Sequence, residues 1–331
     1  MGILARLTST EPGPWVDAFA GAALPHETRA ADAEAAGDTV IAREHALTAY
    51  GYWRVARYPA LTTSAKREAY RRSQELYLRA AAGSDPPLER VEIPFHGRRG
   101  EGRTVIGHLR RPTAVARPPL LVMWGGIDSF KEERRPEAYL AAGIATLAID
   151  MPGTGDAPIA GSADAERMWD DVFAWTLGRA DLDPERVAVI GNSTGGYWAA
   201  KLARTHRERI RAAVDNGGPV HRSFTAEWIA RSQVGEYPFE LAETLALAFG
   251  GSTYEDWVRI APSLSLLEQG VLGRPSAPLL VVHGEDDTVF PVSDARLLVE
   301  RGASAHIVPG GHMGSGDTTG AIVRWLGDHL R

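Results

Sequence analysis

The chain contains no cysteine. Disulfides, thiolate metal sites and a cysteine nucleophile are therefore excluded, and any chemistry must come from oxygen and nitrogen side chains. Long hydrophobic runs are also missing. No stretch approaches the roughly 18 consecutive apolar residues that a membrane-crossing helix requires, and the opening MGILARLTSTEPGPW carries an apolar run too short for a secretory signal. The expectation is a soluble, cytoplasmic protein. Lysine is scarce: Lys66, Lys131 and Lys201 stand alone against many scattered arginines, and the net charge is −6. Without a basic cluster there is no electrostatic ground for expecting nucleic acid or a membrane as partner. Internal repeats and low-complexity tracts are absent. What remains is an ordinary globular composition, 44% hydrophobic and 24% charged, in a chain long enough to bury a large core.

Organisation changes along the chain. Residues 1–85 read as a helical segment, expected to act as a lid, with helical spacing in AREHALTAYGYWRVARY and SAKREAYRRSQELYLRAAAG. GSDPP then breaks the pattern, and LERVEIPF and RTVIGHLRRP read as a hairpin around HGRRGEG. Six apolar runs follow: PLLVMW at 119–124, IATLAID at 144–150, RVAVIG at 186–191, IRAAVDN at 210–216, PLLVVHG at 278–284 and ASAHIVP at 303–309. Continuous apolar runs separated by helical stretches predict strands buried on both faces, in a doubly wound, mostly parallel α/β sheet with an antiparallel start. The interval 217–277 is too long for a simple crossover. Its runs FTAEWIARSQ, FELAETLALAFG and TYEDWVRIA make it a helical cap inserted on the C-terminal edge of the sheet, within a core of 86–216 and 278–331.

The chemistry-bearing stretch is VAVIGNSTGGYWAAKLA. Gly191, Asn192, Ser193, Thr194 and Gly195 form G-x-S-x-G between a β-branched run and an amphipathic one, the strand-turn-helix context that exposes a nucleophilic serine on a strained elbow. A serine hydroxyl needs a histidine to take its proton and a carboxylate to orient that histidine. HGEDDTVFP and GGHMG follow two later strands and supply Asp287 and His312 in that order, each where ligands meet an open α/β sheet. Asp286 is the alternative acid. For the oxyanion, one donor is expected from the amide of Thr194 and the other from the WGGIDSFKEE loop, at Ile127 or Gly126. Asp128, Lys131 and Glu132 also fit a bland reading as caps that solvate a helix start, and DMPGTGDAP reads as a structural turn. Trp124, Asp128, Trp228 and Tyr237 are candidate substrate contacts, within a wider set of aromatics (Tyr50, Tyr52, Trp53, Phe239, Trp257) that also suits core packing.

Taken together, WGGIDSFKEE, DMPGTGDAP, GNSTGGY, DNGGPVH, HGEDDTVFP and GGHM resemble the α/β-hydrolase superfamily. Within it the chain is similar to the branch of 2,6-dihydroxypseudooxynicotine hydrolase, the fungal yellow-green pigment hydrolases and the FrsA-like esterases, which also carry helices before the core. The resemblance implies Ser193 as nucleophile, Asp287 as acid and His312 as base, no cofactor and no metal, and cleavage of carbon-carbon bonds in acyl-ketone substrates. The reading is a serine hydrolase acting on a small-molecule substrate, a hydrophobic acyl-ketone or ester, in a chain that could pair as a homodimer. A lyase or cyclase using the same serine and histidine, a general carboxylesterase and a non-catalytic binding module are the alternatives.

Overall fold

The computed structural model describes Ile3 and residues 7–331, which form two compact units, one ending at Leu88 and one spanning Glu89–Arg331. Three helices make the first: α1 (Pro12–Ala35), α2 (Thr39–Ala56) and α3 (Ser64–Ala81). Helix α2 begins where Asp38 accepts the amide of Ile41 at 3.0 Å, and α3 where Thr63 accepts that of Lys66 at 3.2 Å. Each cap satisfies a donor that a helix start leaves without an intrahelical partner. Helix α3 buries Ala69, Tyr70, Ser73, Leu76 and Ala80, the stripe that its sequence spacing predicts. Helix α1 lies outside the spacing picked out in the sequence, because Pro25 sits within it and its apolar residues are mostly alanine.

The second unit opens with β1 (Glu89–Pro94) and β2 (Thr104–Arg110), an antiparallel hairpin. There follow β3 (Pro119–Trp124), β4 (Ala145–Ile149), β5 (Asp183–Asn192), β6 (Ala212–Asn216), β7 (Leu279–Gly284) and β8 (Ser304–Val308), one for each apolar run. All eight belong to one sheet in the order β1-β2-β4-β3-β5-β6-β7-β8. Strands β3 to β8 are mutually parallel. Helices α4 (Glu137–Ala141), α5 (Met168–Leu177) and α6 (Gly196–Thr205) lie between the strands up to β6, and α7 (Ala226–Ser232), α8 (Leu241–Ala248) and α9 (Tyr254–Ile260) fill the long interval before β7. Helices α10 (Val292–Glu300) and α11 (Thr318–His329) complete the chain.

Strand alternation divides the core into two layers. Leu120, Val122 and Trp124 of β3 pack with residues of α5, α6 and α10, while Leu121 and Met123 pack with Tyr139 of α4 and Ile322 and Leu326 of α11. Strand β8 departs from the expectation of burial on both faces: Ser304 and Ala305 are exposed, as befits a strand at the sheet edge with less helix cover. Register brings the strand ends level, with Trp124 opposite Gly191, Asn192 opposite Asn216 and Gly284 opposite Val308. The loops carrying the candidate residues therefore leave one common edge. Among the described residues, no helix is long and apolar enough to cross a membrane.

Candidate active site

Strand β5 hands the chain to α6 through a single 3₁₀ turn, Ser193–Gly195. Ser193 has φ of 54°, in the left-handed region that costs a residue with a Cβ on the order of 1 kcal/mol or more. The indole N–H of Trp124 donates to the carbonyl of Gly195 at 2.8 Å and helps hold that turn. Trp124 is completely buried and packs 4.8 Å from Trp169. The expectation that it contacts substrate is thus corrected: an indole at the end of a central strand supports the elbow from beneath.

The loops after β7 and β8 bring the other two residues to the serine. His312 Nε2 lies 2.7 Å from Ser193 Oγ, and His312 Nδ1 lies 2.8 Å from Asp287 Oδ2. The second oxygen of Asp287 accepts the amides of Val289 and Phe290 at 2.8 and 2.9 Å. Asp287 is fully buried, whereas the His312 side chain keeps 17% exposure, so the relay opens outward at its histidine and serine end. Asp286 is exposed and points elsewhere, its Oδ2 meeting the Gly310 amide at 3.4 Å. His283 Nε2 sits 3.4 Å from Asp287 but donates to the Phe290 carbonyl at 3.1 Å. Burial lowers its pKa, against the pull of Asp287, and keeps this second histidine neutral.

Across from the serine, Gly126 makes a close approach that a side chain would forbid. A Cβ there would lie 2.9 Å from Ser193 Cβ and 3.1 Å from its Oγ. Ile127 follows it in the buried loop, and Thr194, also buried, follows the serine. The rest of this loop overturns the solvated-cap reading. Lys131 is 1% exposed, and its Nζ meets Glu132 at 2.9 Å, Asp150 at 3.0 Å and Asp156 at 2.6 Å. Its amide adds a 2.8 Å bond to Asp150. WGGIDSFKEE and DMPGTGDAP are thereby joined through one buried lysine, and the second stretch supplies two carboxylates, buried Asp150 and partly exposed Asp156, as well as a turn. Burial opposes the charge of Lys131, but Asp150, Glu132 and Asp156 hold its pKa above the ordinary lysine value. Burial, with the charge of Asp150, raises the pKa of Glu132 despite Lys131.

The remaining candidates belong to the same edge. The Tyr237 hydroxyl donates to Asp128 at 3.1 Å, and Trp228 donates its indole N–H to the Val289 carbonyl at 2.9 Å, two residues beyond Asp287. Trp53 and Trp257 are buried core residues. One residue that sequence reasoning missed is Glu236, whose carboxylate accepts the amide of His312 at 2.9 Å and that of Thr288 at 3.0 Å.

The pattern of the family described as "Esterase FrsA-like" matches residues 5–315. The chain belongs to the FrsA-like esterase family. It is 24% identical to Esterase FrsA of Photobacterium profundum over 341 residues, covering 99% of this chain and 79% of that one. It is 31% identical over 237 residues to Hydrolase phmG of Phaeosphaeria nodorum, covering 64% of this chain and 53% of phmG, so the match spans about half that relative's length. Among solved structures, 2,6-dihydroxy-pseudo-oxynicotine hydrolase superposes with a TM-score of 0.79 at 23% identity, covering 99% of this chain and 92% of its own. AbyA5 does so with a TM-score of 0.73 at 23% identity, covering 98% and 90%. These likenesses show an α/β-hydrolase fold, and the FrsA-like family places the chain among α/β-hydrolase enzymes.

Proposed function

We propose that this FrsA-like family member is a serine hydrolase of hydrophobic acyl-ketones or esters, with Ser193 as nucleophile, His312 as general base and then acid, and Asp287 as the group that orients His312. The observation that carries the reading is the unbroken chain from Ser193 Oγ through His312 to buried Asp287. The carboxylate fixes the tautomer with the proton on Nδ1, leaving Nε2 free to accept the serine proton. Oγ attacks the substrate carbonyl, the amides of Thr194 and Ile127 receive the oxyanion, and its collapse breaks the bond to the leaving group. His312 returns its proton to the departing enolate or alcohol. Water, deprotonated by the same histidine, then releases the acid from Ser193.

Carbon-carbon cleavage is the version favoured here for the bond broken. A departing enolate needs a site that excludes water, and the segment 217–277 reaches the site through Trp228, Glu236 and Tyr237. A fluorophosphonate probe is expected to label Ser193 in the wild type and leave Ser193→Ala unlabelled, with turnover falling at least about 10³-fold. Near-normal turnover by a folded Ser193→Ala protein sinks the covalent mechanism. With bulky β-diketones and short p-nitrophenyl esters compared, kcat/KM is expected to favour the former. The reverse preference identifies a general carboxylesterase.

A further inference from the structure

The triad reading leaves one question of geometry. Asp287 and His312 ride on separate loops, and the ladder between β7 and β8 ends at Gly284 and Val308. Backbone bonds extend the tie only as far as Glu285 to Val308 and Asp286 to Gly310. Beyond that point the histidine needs another constraint if a 2.8 Å contact with Asp287 is to persist.

We propose that Glu236 is a positioning residue that supplies it, an inference that rests on the Ser193–His312–Asp287 reading. Glu236 Oε2 accepts the amide of His312 itself, at 2.9 Å. Oε1 accepts the amide and hydroxyl of Thr288, the residue directly after the acid, at 3.0 and 3.1 Å. The Glu236 amide closes the arrangement by donating to Thr288 Oγ1 at 2.8 Å. One carboxylate thus bridges the acid loop and the base loop, and it comes from the inserted segment rather than from the sheet. The next residue, Tyr237, bonds Asp128 on the opposite, oxyanion-side loop. Two consecutive residues therefore strap both sides of the site to one turn of chain. Gly311 leaves room for the bridge: a Cβ there would lie 2.2 Å from Glu236 Oε2, so an alanine displaces the carboxylate without removing it.

That geometry sets the test. Phosphonylation of Ser193 by a fluorophosphonate is followed to saturation in the full chain, separating the limiting rate from the probe's affinity. Because misplacing a reacting group by about 1 Å can cost on the order of 10²-fold, Glu236→Ala and Gly311→Ala are each expected to slow the limiting rate about 30-fold, with affinity within about twofold. Glu236→Gln keeps one acceptor oxygen and is expected to lose about tenfold; it carries the test if the alanine variant does not fold. Since Gly311→Ala acts only by evicting Glu236, the double variant is expected to be no slower than Glu236→Ala alone. Losses that multiply in the double variant, or a Glu236→Ala rate within about threefold of the wild type, overturn the proposal while leaving the triad intact. A wild type that is not labelled at Ser193 overturns the triad reading and this inference with it.

Discussion

Two polar constellations beyond the strand ends differ in what they enclose: that of Lys131, Glu132, Asp150 and Asp156 closes around its cation and reaches solvent only at Asp156, whereas that of Ser193, His312 and Asp287 is open at its histidine and serine end. In the first, an ammonium group meets three carboxylates and Lys131 is 1% exposed. In the second, a buried carboxylate backs an imidazole ring whose far nitrogen meets a hydroxyl, and the histidine keeps 17% of its surface. A buried ammonium group whose three donors meet three carboxylates can hold a loop but has no donor left to offer a substrate. An open relay has an atom to offer, and depends on other groups for its geometry. The assembly around Lys131 braces the loop that carries Gly126 and Ile127, so under the proposed function the two constellations divide stability and chemistry between them.

Removing the acid is the strongest way to break that division. Asp287→Asn presents an amide to Nδ1 and favours the wrong tautomer of His312, and turnover is expected to fall by about 10⁴-fold with little change in unfolding free energy. Asp286→Asn is expected to cost less than about tenfold, because its side chain is exposed and remote from the ring. Steady-state kinetics on both variants decides; the opposite ranking makes Asp286 the acid.

The converse is expected at the closed assembly. Lys131→Met strands Asp150, Asp156 and Glu132 without their cation, and a buried charge left uncompensated costs about 3–5 kcal/mol. Urea unfolding should show that loss, while the surviving folded fraction still phosphonylates Ser193. A variant of unchanged stability that cannot be labelled would move Lys131 out of the bracing role and into the chemistry.

This contrast also explains what could be read from the sequence. The strands were legible because continuous apolar runs have few alternatives in an α/β chain, and Ser193, Asp287 and His312 because a motif and a chain order constrained them together. Lys131 and Glu132 were misread because charged side chains are ordinarily solvated, and the carboxylate that buries them, Asp150, comes from a different loop. A signal was present nonetheless. In an arginine-rich chain the three lysines, Lys66, Lys131 and Lys201, are 0%, 1% and 1% exposed. A compact ammonium, unlike the flat guanidinium fork, can meet carboxylates from several directions. Trp124 was misplaced because a tryptophan at a strand's end looks the same in sequence whether it lines a cleft or supports a turn. Glu236 had no local signature at all; its partners lie at Thr288 and His312, on two distant loops.

Asp215 sharpens the comparison at its limit, a buried carboxylate near the elbow with neither a cation nor a histidine. One oxygen accepts the Gly218 amide at 2.7 Å, and the other, Oδ2, is buried without a partner. Burial pushes its pKa up to about 7, with the Gly218 bond opposing and the charge of Asp294 adding. An acid raised in the folded state binds more protons folded than unfolded, so stability falls as pH climbs from about 4, where the unfolded chain ionises, to about 7, where the folded protein does. Across that window the penalty reaches about 4 kcal/mol at about 1.4 kcal/mol per pH unit, and above it the slope vanishes. Asp215→Asn removes the ionisation but buries an NH₂ that lacks an acceptor, which costs about 1–2 kcal/mol. The variant is therefore expected to be less stable than the wild type near pH 4 and more stable by about 2–3 kcal/mol at pH 8, and urea unfolding at the two pH values measures the crossing. Parallel stability curves for the two proteins would mean that Asp215 is ionised in the fold, matched by a partner that makes it a second closed site instead of an isolated acid.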